Sequence, residues 1–92
     1  MTEIIESLTE TGRGLLVAIA DYLTRARPTH VMWEASRLLL ARQFALAHFG
    51  DDMALVDEVE RQILAHAPIV RPGTTRDEYA AQLRLAAQGV TA

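Results

Sequence analysis

The segment from His30 to Phe49 carries apolar side chains on almost every side, and this limits what the chain can become. Val31, Met32, Trp33, Ala35, Leu38, Leu39, Leu40, Ala41, Phe44, Ala45, Leu46, Ala47 and Phe49 nearly encircle it as a helix. Only Glu34, Ser36, Arg37, Arg42, Gln43 and His48 interrupt. A helix that is apolar on most sides has to be covered on most sides. The chain has 92 residues, the size of one domain spanning 1–92. Three further helices barely enclose such a segment, so oligomerisation is the simplest way to cover the remainder. Large aromatic and Met side chains are enriched at interface centres. Met32, Trp33, Leu40, Phe44 and Phe49 are therefore the candidate partner-binding residues.

The rest of the chain reads as helices separated by clear stops. Ile4, Ile5, Leu8, Leu15, Leu16, Ile19, Leu23 and Ala26 recur in a helical stripe. It passes through Gly12 and Gly14, each costing about 1 kcal/mol against Ala in a helix interior. One helix from about residue 3 to 27 fits, and a break at those glycines is the alternative. Gly12 lies on the stripe, which suits a close contact between helices. Pro28 ends this helix and Thr29 is the expected cap of the next. Gly50 stops the second helix, and Asp51 or Asp52 caps a third that turns Met53, Val56, Val59, Ile63 and Ala67 to one side. Asp57 stands four residues before Arg61, the favourable ion-pair order. After Pro68 and a loop, Thr75 and Glu78 have capping-box spacing, and the fourth helix buries Tyr79, Leu83, Ala86 and Ala87. No segment sustains the period-two alternation of a strand. The expected fold is all-α: a small bundle of four helices, about 3–27, 30–49, 52–66 and 75–88, paired as a dimer.

Half the chain is apolar, enough for a packed core. With no cysteine, a disulfide scaffold, a cysteine-ligated zinc site and a cysteine nucleophile are excluded. All 9 basic residues are Arg, and neither Lys nor Asn occurs. Both missing residues use A-rich codons, which points to a GC-rich genome. The acidic start, Met1 to Glu6, lacks the positive charge that opens a signal peptide. Leu15 to Ala20 is the longest apolar run, far short of the ~20 residues a membrane helix needs. The chain is expected to be cytoplasmic.

Motifs for chemistry are few. His30, His48 and His66 each fall near a helix end, where imidazole meets terminal carbonyls or complements the helix dipole. No Glu precedes a His by three residues, and no His-Glu-x-x-His occurs, so no metal or other cofactor is expected. Ser7 and Ser36 stand in no nucleophile elbow. Residues 42–61 resemble a helix-turn-helix register, with Phe49, Gly50 at the turn, then Val56 and Val59. The would-be recognition helix, however, carries Asp52, Asp57, Glu58 and Glu60, which phosphates repel. The net charge of −3 agrees. The expected function is that of a helical protein-interaction module: an accessory subunit, regulator or inhibitor that acts by binding. The alternatives are a DNA-binding regulator using 42–61, and a small enzyme with its site at a subunit interface.

Overall fold

The computed structural model describes residues 7–89 as four helices: α1 Glu10–Arg25, α2 Glu34–Phe49, α3 Met53–His66 and α4 Arg76–Ala87. Two helix starts differ from the sequence expectation, and each has a local cause. Thr9 caps α1, its hydroxyl accepting from the Gly12 amide at 3.1 Å. The helix then runs unbroken through Gly12 and Gly14. Ile4 and Ile5 lie outside the described residues. The Thr9 cap is itself held by α3: Gln62 Oε1 accepts from Thr9 N at 3.2 Å and from Thr9 Oγ1 at 2.8 Å. A Cβ at Gly12 would stand 2.6 Å from that same oxygen. Gly12 is thus the close-contact glycine, and it makes room for a polar group rather than for a facing helix backbone.

The start of α2 moves from residue 30 to Glu34, and Thr29 is not its cap. Val31 forms an isolated antiparallel bridge with Thr75. The Met32 amide donates to Thr74 O, and the Arg76 amide donates to His30 O, both at 2.8 Å. These bonds need extended backbone, so the helix waits until they are made. Trp33 is left at the N-cap position, where its side chain caps nothing.

The other termini follow the expected signals. Asp52 caps α3 by accepting from the Leu55 amide at 3.1 Å. Thr75 and Glu78 form the capping box of α4, with bonds of 3.1 and 2.9 Å. The backbone bond from Thr75, with its hydroxyl bond, holds the Glu78 carboxyl below its ordinary range.

Packing pairs α1 with α4 and α2 with α3. Leu16, Leu23, Val56, Ile63, Tyr79 and Leu83 are among the fully buried side chains that join the two pairs. The Tyr79 hydroxyl donates to Pro68 O, tying α4 to the end of α3. The body measures 35 × 34 × 20 Å, about two helix diameters thick. In so thin a body every helix keeps an outer side in solvent. Among the described residues, no helix is long and apolar enough to cross a membrane.

Candidate functional site

The two sides of α2 meet different surroundings. Its inner side buries Leu40, Ala41 and Ala45, with Phe44 and Phe49 half-buried against the core. The small Ala41 and Ala45, four residues apart, face inward one turn from each other. Its outer side carries Leu38, Leu39 and Leu46, which are 48%, 56% and 38% exposed. Ala35 is exposed on the same side, one turn before Leu39. Leu39 and Leu46 stand seven residues apart, two turns along one side.

Arg42 would break this row, but α3 draws it away. Its guanidinium bonds Asp57 at 2.8 Å and Glu60 at 3.0 Å. Those bonds, to Asp57 first and then Glu60, raise its pKa above the ordinary arginine value. The charge is answered within the chain, and apolar surface lies to either side of it. Asp57, expected to face Arg61, thus also links α3 to α2.

A second apolar surface lies at the start of α2. Trp33 is 63% exposed and Ile69 is 70% exposed, with half-exposed Val31 nearby in sequence. Ile69 belongs to the same end of the molecule, because the next amide, that of Val70, donates to Glu34 Oε1 at 3.0 Å.

Of the five candidate partner-binding residues, Trp33 alone is on the open surface. Met32 and Leu40 are buried in the chain's own core, and Phe44 and Phe49 pack against it. On α2 itself, Leu38, Leu39 and Leu46 are the large apolar side chains that stand on the open surface. The alanines held the clue: Ala41 and Ala45 mark the side where α2 comes closest to its neighbours, which turns Leu39 and Leu46 outward. Gln62 was missed as well, since a lone glutamine in an acidic helix gives no sign that it caps a neighbour.

Arg37 is a largely covered cation at the edge of the core, its side chain 11% exposed. Its Nε lies 3.4 Å from Glu34 Oε1, and its Nε and Nη1 have no hydrogen-bond partner among the described residues. Ile19, Met32, Arg37, Leu40, Ile63, Ala67, Tyr79 and Leu83 surround a cavity of about 10 Å³ there, room for one water at most. Burial raises the Tyr79 hydroxyl well above the ordinary tyrosine value, and Arg37 opposes the shift. A shallow groove of about 280 Å³ between α1 and α4 is lined by Arg13, Val17, Arg84, Ala87 and Gln88. Neither space brings together a nucleophile, an acid and a base.

Among the described residues, no three His, Asp or Glu side chains gather as a metal site. His48 Nδ1 lies 3.0 Å from Phe44 O, the helix-end contact its position suggested. The helix-turn-helix register maps onto α2, the turn at 50–52 and α3, and the exposed side of α3 presents Asp57 and Glu58. The chain matches no known protein family, no curated protein and no solved structure.

Proposed function

We propose that this chain is a protein-interaction module that acts by binding rather than catalysis, and that it self-associates through the outer side of α2. The observation that carries this reading is the two-sidedness of α2: its inner side fills the core while Leu38, Leu39 and Leu46 remain outside. Trp33 and Ile69 at the end of the bundle then form a surface for a further protein, as an accessory subunit, regulator or inhibitor would need. Nucleic acid is a poor candidate for that partner, because Asp51, Asp52, Asp57 and Glu58 sit where phosphates would approach α3.

The test is a pair of charge insertions read by sizing and light scattering. Leu39→Glu on α2 reduces the particle to a single chain with its helical circular dichroism intact. Leu85→Glu, on the half-exposed side of α4, leaves the association unchanged. Equal behaviour of the two variants would contradict the reading.

A further inference from the structure

Arg37 sets a guanidinium against an apolar core, and its surroundings define what completes its bonding. We propose that the cavity beside Arg37 and Tyr79 is the site of one buried water, which accepts from the Arg37 guanidinium and donates to the Tyr79 hydroxyl oxygen. This site is independent of how the chain associates.

Three observations point to it. The first is an unmet demand for acceptors. Arg37 Nε and Nη1 are both buried with no hydrogen-bond partner among the described residues. Glu34 Oε1 lies 3.4 Å from Nε, too far for a good bond, and it already accepts from the Val70 amide at 3.0 Å. Buried N–H groups on a charged side chain are costly to leave unpaired.

The second observation is the space. The cavity measures about 10 Å³, close to the volume that one water occupies. Arg37 and Tyr79 are the polar members of its lining, and the rest is apolar. A cavity stays dry where its lining is apolar throughout, and this one is not. The third is an acceptor on the far side. Tyr79 spends its one hydroxyl proton on Pro68 O, which leaves the lone pairs of its oxygen open to a donor. A water that accepts from Nε and Nη1 and donates to Tyr79 makes three bonds, the usual number for a buried water. The Glu34 carboxylate already answers the charge of Arg37, so the site calls for a neutral occupant rather than a halide ion.

The water completes a ring of polar contacts. The ring runs from the Val70 amide to Glu34, from Glu34 to Arg37, through the water to Tyr79, and from Tyr79 to Pro68 O. Its two ends fall on either side of Ile69, which is 70% exposed. The water thereby helps to hold the stretch of backbone that presents Ile69.

Relaxation dispersion of the water oxygen nucleus counts long-lived internal waters and is blind to exchanging protons. Arg37→Met replaces the guanidinium by an unbranched apolar side chain. With its helical circular dichroism intact, this variant is expected to hold one long-lived water fewer than the parent. Equal counts in the folded variant would overturn the proposal. A crystal structure of the unmodified chain gives a second test that needs no variant. A single water oxygen within about 3 Å of both Arg37 and Tyr79 is the expected result. An empty cavity, or a halide ion in it, would overturn the proposal.

Discussion

At the scale of single residues, two glycines two positions apart in α1 have opposite roles. A Cβ at Gly12 meets Gln62 Oε1, while one at Gly14 meets nothing within 4 Å. Gly14→Ala should raise stability by about 1 kcal/mol through helix propensity and a less flexible unfolded chain. Gly12→Ala gains the same propensity but forces the buried Gln62 away from Thr9, so a net loss of about 1 kcal/mol is expected. In a Gln62→Ala background that loss should vanish, which a double-mutant cycle by urea denaturation checks. Tyr79 carries a pH signature. Tyrosine in an unfolded chain ionises near pH 10. Buried Tyr79 keeps its proton beyond that point, so above it the unfolded chain binds fewer protons and stability falls as pH rises. Tyr79→Phe should cost about 1 kcal/mol at neutral pH by leaving the Pro68 carbonyl without its donor. It should also flatten the alkaline fall. An unchanged slope would show that burial of Tyr79 is not its source.

At the scale of elements, α2 separates what local sequence decides from what packing decides. Caps are local: Asp52 and the Thr75–Glu78 box were legible because each cap satisfies amides two or three residues on. The start of α2 was not, because Thr29 has cap chemistry but residues 30–32 are held by Thr74, Thr75 and Arg76, more than forty positions away. The side on which α2 would be buried was equally hidden, since a helix apolar nearly all round has no dominant period to follow. Of the five residues singled out, only Trp33 lies on the open surface. Its position carries a prediction. An N-cap normally holds Ser, Thr, Asp or Asn, and Trp33 supplies no cap bond. Trp33→Ser should raise thermal stability, by about 1 kcal/mol. It should also weaken capture of any protein that uses the Trp33–Ile69 end. A variant less stable than the parent would mean that the indole contributes more to the fold than its exposure suggests.

At the scale of the whole molecule, the all-α bundle follows from helical periodicity punctuated by Pro28, Gly50 and Pro68, and the structure agrees with that architecture. What the thin body adds is a reason for association: two helix layers cannot enclose a helix that is apolar on both sides. Light scattering behind a sizing column, across a dilution series of the unmodified chain, tests this most directly. At high concentration the mass should approach twice the 10.2 kDa of one chain, and it should fall toward a single chain on dilution. A mass of one chain at every concentration would contradict the account.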